Sequence, residues 1–253
     1  MAKKFYYDSV GLTDLSSTAI KAGTLSSTTF SQSDSAITNE HYSKDQSIAH
    51  DIIAFSHEDA IRIDFGADVA VTDVLTHSNL TTNENDDFMV HYNSSDTDIG
   101  SAFGTNDVSP PGWDLISASS QSARYWYLRS TIGPYSGLTE VIMGVPLEFE
   151  VEPDIGGATQ EIFATDINTS YGGVEYANKR HEPVSTWTLS FKNISQTFRN
   201  NLATFEANVT DYKKFVYYDD SAYNYVRLSS PIRFVEIAFE RYSCTIELRE
   251  QLS

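Results

Sequence analysis

Short runs in which apolar and polar residues alternate recur along the chain. A period of two commits most of it to β-strands, because successive strand side chains face opposite sides. Ile61, Ile63 and Phe65 alternate with Arg62 and Asp64, and Phe88, Val90 and Tyr92 with Met89 and His91. Tyr125, Tyr127 and Arg129 alternate with Trp126 and Leu128, Trp187, Leu189 and Phe191 with Thr188 and Ser190, and Cys244, Ile246 and Leu248 with Thr245 and Glu247. The 15 Tyr and 14 Phe, set among abundant Ser and Thr, suit pleated, half-buried strands better than helices. The expectation is a mainly β protein.

One segment breaks the period. Ile194, Phe198, Leu202, Phe205 and Val209 recur at spacings of three and four, which stacks them in one stripe on a helix. Asn193 is the expected N-cap, with Gln196 completing a capping box. Beyond the helix, Lys214 to Tyr218 and Tyr223 to Leu228 flank Asp219-Asp220-Ser221-Ala222, the pattern of a hairpin. Strands over Phe234 to Phe239 and Tyr242 to Leu248 follow.

A chain of 253 residues accommodates two ordinary domains. Residues 9 to 50 read as loops and short strands. Gly66-Ala67-Asp68 reads as a tight turn between two strands, and Asn79 to Asp87 and Asp98 to Gly112 as polar loops. Between Gly144 and Val184, Pro146, Pro153, Gly156-Gly157, Gly172-Gly173 and Pro183 punctuate polar sequence. That stretch marks the junction and is long enough to contribute a hairpin or extended loop to the second domain. The expected division is 1–150 and 151–253, each a β-sandwich, the second flanked by the helix.

Carboxylates outnumber Lys and Arg by 35 to 17, and the formal charge of −18 opposes any phosphate-binding surface. Specific nucleic-acid binding is therefore not expected. Cys244 is the only cysteine, so intrachain disulfides and Cys-rich zinc sites are excluded and a buried strand thiol is expected. Met1-Ala-Lys-Lys-Phe-Tyr-Tyr-Asp lacks the apolar core of an export signal, and no run reaches membrane-spanning length. Without an export signal the sequons at Asn79, Asn93, Asn168, Asn193 and Asn208 are discounted.

No catalytic constellation stands out. His57-Glu58 lacks the second histidine of a zinc-protease helix, and no nucleophile elbow, Walker loop or dinucleotide fingerprint is present. The expectation is a non-enzyme with no cofactor. Asn83-Glu84-Asn85-Asp86-Asp87 and Asp96-Thr97-Asp98 gather hard oxygen ligands of the kind that hold a structural Ca²⁺, although a water-solvated acidic turn is the preferred reading. Trp113, at the end of a Pro/Gly loop, offers a face for stacking on a sugar; the plainer reading is a core or rim aromatic. Trp113, Asn83, Asn85 and Asp86 are the candidate ligand-binding residues.

Five segments in order, Ile61-Arg-Ile-Asp-Phe-Gly66, Phe88-Met-Val-His-Tyr-Asn-Ser-Ser-Asp96, Gly112-Trp-Asp-Leu115, Ala123-Arg-Tyr-Trp-Tyr-Leu-Arg129 and Thr139-Glu-Val-Ile-Met-Gly144, resemble a discoidin or coagulation-factor type C domain. The resemblance implies a galactose-binding-like jelly roll over about residues 30 to 150. Its variable loops carry binding in that family, and the paired cysteines of secreted members are absent.

A second resemblance covers Trp187 to Leu252. The Trp-X-Leu-X-Phe strand, the helix ending in Leu202-Ala-Thr-Phe205, then Lys214-Phe-Val-Tyr-Tyr218, Tyr225-Val-Arg-Leu228 and the ending Tyr242 to Leu252 are similar to minor tail proteins of lambda-like phages and to distal tail proteins. It implies a tail-tube-like sandwich that assembles as a ring, usually a hexamer, with tail-tube and tail-tip proteins as partners. The expected role is a structural protein of a phage virion, made in the host cytoplasm. In it the last domain builds the ring, the first faces outward, and DNA passes through a net-negative lumen without sticking. The alternative is a carbohydrate-binding adhesion protein that recognises host glycans. No membrane association is expected under either.

Overall fold

A computed structural model describes residues 3–7, 20–23, 53–55, 60–78, 87–95, 100–107, 112–130, 135–154, 159–171, 173, 175–210 and 213–251. The protein is mainly β, with two extensive sheets and, among the described residues, one helix. The chain divides into two compact units, Tyr6–Pro146 and Met1–Phe5 with Leu147–Leu252. The expected 1–150 division differs from this in residues 1–5 and 147–150. The physical reason is pairing: β1 (Lys4–Tyr6) lies antiparallel to β9 (Leu147–Glu148), with Phe5 opposite Leu147.

In Tyr6–Pro146 the strands are β2 (Ile20–Gly23), β3 (Ile53–Phe55), β4 (Ala60–Ser78), β5 (Asp87–Asn93), β6 (Ser101–Asp107), β7 (Gly112–Ser130) and β8 (Tyr135–Gly144), ordered β3-β8-β4-β7-β5-β6 with β2 on β4. β4 and β7 are 19 residues each and pair along most of their length. The turn expected at Gly66-Ala67-Asp68 is instead a bulge within β4. Asp64 and Val69 lie opposite Tyr125 and Ala123, so the four residues between them face one, and Gly66 takes φ +75°. The first half of β4 pairs with β2 and the second with β8, which makes the two layers of a sandwich. Ile63, Val90, Trp126 and Leu128 from one layer and Val74, Ile116, Val141 and Met143 from the other close the core.

The middle of β7, Ser117 to Ser122, carries its own bulge opposite Val71 and Asp73. Part of the polar stretch Asp98 to Gly112, expected as a loop, is strand. Residues 101–107 form β6, where Phe103 is buried and Gly104 lets β7 approach: a Cβ there would lie 2.5 Å from Ile116 Cγ2.

In the other unit β10 (Thr159–Thr169), β11 (Glu175–Ser195), β12 (Phe215–Tyr218), β13 (Tyr223–Leu228), β14 (Arg233–Ala238) and β15 (Arg241–Glu250) join β1 and β9 in the order β10-β11-β15-β13-β12-β1-β9, with β14 also on β15. The helix α1 (Gln196–Val209) follows β11 directly. Phe198, Leu202, Phe205 and Val209 are buried as the spacing requires; Ile194, also buried, stands just before the helix. The cap differs from the expectation. Ser195, not Asn193, is the N-cap, and its hydroxyl accepts the Phe198 N–H at 3.1 Å. Asn193 sits in the bulge that separates Phe191 from Ile194 and takes φ +61°, so it cannot reach the first turn. Gln196 donates to Asn200 Oδ1 instead of closing a box.

The β12–β13 hairpin forms as its sequence predicts. Asp219 Oδ1 accepts N–H bonds from Ser221 and Ala222 and the Ser221 hydroxyl, which holds its carboxyl below the usual carboxylate range. Phe5 is fully buried at the centre of the aromatic core, with ring centroids 4.8 Å from Phe149 and Phe205, 5.2 Å from Phe215 and 5.7 Å from Tyr217.

Candidate functional sites

Of the four candidate ligand-binding residues only Trp113 lies among the described residues; Asn83, Asn85 and Asp86 fall outside them, as do Asp96 and Asp98. Trp113 is the second residue of β7 and pairs across the sheet with His77 of β4, while Gly112 pairs with Ser78. The indole is half-buried, with the His77 ring edge-on at 5.0 Å. It is a rim aromatic with part of its surface already covered. Burial lowers the His77 pKa to about 4, so the imidazole at this end is neutral at pH 7.

Among the described residues of this unit Asp73 is the buried carboxylate. It accepts the Thr72 hydroxyl at 2.9 Å and the Ser117 hydroxyl from the neighbouring strand. Two hydroxyl donors fix it between β4 and β7, which satisfies the buried carboxylate. Among the described residues no group of three or more His, Cys, Asp or Glu is arranged to hold a metal ion. No helix among them is long and apolar enough to cross a membrane. Cys244 is buried as expected, and burial pushes its thiol up to about 12, which keeps it protonated and unreactive.

The stripe Ile194, Phe198, Leu202, Phe205 and Val209 faces its own unit's core, so the helix presents no free apolar face there. The apolar surface lies elsewhere. β11 pairs with β15 only from Thr186 onward, and the part before it pairs with β10 alone. Among the described residues, 159–171 and 175–185 thus form a two-stranded ribbon whose outer edges pair with no other described strand. Ile162, Ile167, Tyr171 and Tyr176 on it are exposed, Tyr171 fully. A second exposed set, Val235, Ile237 and Phe239, lies on β14 and its turn, where β14 pairs with β15 and, among the described residues, with no other strand. The turn puts Glu240 at φ +54°, a conformation more usual for Gly or Asn.

The sequence expectation of a hairpin or extended loop near 144–184 located the ribbon without its exposure. A clue was present: Ile162, Ile167 and Tyr176 stand among polar residues with no run of alternation long enough to bury a face.

No protein-family model matches the chain. No curated protein matches it either. Among solved structures, the chain is similar to chitosan-binding module 1 from a chitosanase/glucanase of Paenibacillus sp. IK-5, at 18% identity and a TM-score of 0.32, over 41% of this chain and 83% of the module. A selenomethionine-labelled point variant of that module matches at 18% identity and a TM-score of 0.30, over 41% and 81%. TM-scores of this size do not establish a shared fold.

Proposed function

We propose that the chain is a structural assembly protein. In this reading the Leu147–Leu252 unit joins copies into a ring at the tip of a phage tail, and the Tyr6–Pro146 sandwich is a decoration on it. The observation that carries this reading is the β10–β11 ribbon. A two-stranded ribbon is marginal in water by itself, and natural proteins cover or charge such edges to prevent pairing. Here the ribbon, unpaired at its outer edges among the described residues, exposes Ile162, Ile167, Tyr171 and Tyr176. Exposed apolar side chains on an unpaired ribbon are what an assembly contact requires. The tail assignment itself follows the resemblance of residues 187–252; the ribbon supports assembly in general. No enzymatic activity, cofactor or metal belongs to this proposal, and its partners are copies of the chain and other tail proteins.

The test is solution mass by light scattering, with electron microscopy of the assembled species. Rings are expected for the wild type. The Ile167→Asp/Tyr176→Ser variant should remain folded by circular dichroism and fail to assemble. A wild-type chain that stays monomeric at high concentration would sink the proposal.

A second reading, recognition of a glycan by the sandwich, is favoured by the half-exposed Trp113 near the start of β7. An array of neutral and amino-sugar oligomers tests it. Binding that survives Trp113→Ala would remove this residue from the site, and no binding at all would remove the reading.

A further inference from the structure

Four arginines share one face of the sheet in the Leu147–Leu252 unit. The register sets Arg227 directly opposite Arg249 and Arg233 opposite Thr245. Along β15, Arg241, Ser243, Thr245, Glu247 and Arg249 alternate with the buried Cys244, Ile246 and Leu248, so Arg241 and Arg249 point to the same outer side. Thr186, Thr188 and Ser190 of β11 continue that face through their pairing with Arg249, Glu247 and Thr245. The result is a surface of guanidinium and hydroxyl groups, with the exposed Val235 opposite Ser243 and one carboxylate, Glu247, which accepts the Ser230 hydroxyl at 3.0 Å.

None of these four guanidinium groups forms an ion pair with a described residue, and Arg227 Nε is buried with no hydrogen-bond partner among them. That is unusual in a chain with 35 carboxylates. Like charges placed directly across strands destabilise a sheet, and the one carboxylate of this face, Glu247, forms an ion pair with neither Arg227 nor Arg249. Such an arrangement suits carboxylates supplied from outside, because a guanidinium binds a carboxylate through two parallel hydrogen bonds.

The charge distribution names the supplier. The Tyr6–Pro146 unit holds 19 Asp and Glu against 5 Lys and Arg, a net charge of −14, whereas the rest of the chain holds 16 against 12, a net charge of −4. A polyphosphate would have to approach the arginine face through the field of the whole −18 chain. We propose that the outer face of β13, β15 and β14 docks the acidic Tyr6–Pro146 unit of a second copy, so that copies associate head to tail. This rests on the assembly reading and names the surfaces that meet. A heterologous contact of this kind closes into a ring when the rotation between copies allows.

Sedimentation velocity of the full chain tests it, at about 50 mM and about 500 mM salt, since screening over a few ångströms weakens carboxylate–guanidinium contacts. Oligomer at low salt that dissociates at high salt is expected. The Arg241→Glu/Arg249→Glu variant should sediment as a folded monomer at both, and Arg241→Lys/Arg249→Lys should assemble at low salt only. A charge-reversed variant that assembles like wild type overturns this proposal and leaves the assembly reading intact. A wild type that is monomeric throughout overturns both. If the reversed variant unfolds, Arg241→Gln/Arg249→Gln takes its place with the same criteria. Labelled duplex DNA bound by wild type and released by the Gln variant would overturn the choice of occupant.

Discussion

Single side chains show how unevenly the core is weighted. Phe5 comes from the first strand yet contacts rings from β12, α1 and the segment after β9. Its truncation would leave a cavity that several rings must collapse into, and Phe5→Ala should cost about 3–5 kcal/mol in urea unfolding. A loss below about 1 kcal/mol would mean that the cluster does not depend on it. His77 gives a test in pH. Its folded pKa of about 4 lies below the ordinary 6.5, so the folded state binds fewer protons than the unfolded chain between those values. The stability it contributes is complete above pH 6.5 and is lost as the pH falls towards 4. The melting temperature should drop over that interval, and less so in His77→Leu. Equal slopes in the two proteins would show that the imidazole is not the group responsible.

Elements differ in how far the sequence revealed them. The strands around Leu189 and Ile246 were legible because one face of each is buried, and burial imposes the period of two. The helix was legible for the same reason at its own period. Its start was not, because Asn193 and Ser195 are both good caps and the choice between them falls to a bulge in β11, a tertiary feature. Ser195→Ala should therefore lower stability by about 1 kcal/mol, whereas Asn193→Ala should leave the first turn capped, as helical circular dichroism through a thermal melt would show. Asn193→Gly would relieve its left-handed backbone and is expected to stabilise slightly. β6 and the middle of β7 were missed because Ser, Gly, Asn and Asp there serve close approach and bulges in place of burial. Trp113 was found because a Pro/Gly loop ahead of an aromatic is a local signal. The arginine face was not, since it exists only once Arg227 and Arg249, distant in sequence, become neighbours across a sheet.

At the scale of the whole molecule the decisive fact is where the sandwich enters. β1 and β9 are antiparallel neighbours, with Phe5 opposite Leu147, and the Tyr6–Pro146 unit is the chain that connects them. Topologically it is an insertion between two strands of a module whose sheet and helix lie after it in sequence. Two residues that face each other across an antiparallel pair can be joined by a two-residue turn, for which Asn-Gly is the favoured sequence. Replacing residues 6–146 by Asn-Gly should therefore leave a β1–β9 hairpin and a folded module. The measurable signature is near-ultraviolet circular dichroism from Phe5, Phe149, Phe205, Phe215 and Tyr217, with a cooperative melt. The ribbon and the arginine face would both remain, but the acidic partner surface would be gone. If copies meet through arginine face and sandwich, the excised protein should fold and stay monomeric, and should bind the full-length chain as a terminating cap. An excised protein that fails to fold would show that the insertion supports its host. One that folds and still forms rings would locate the contact in the ribbon alone.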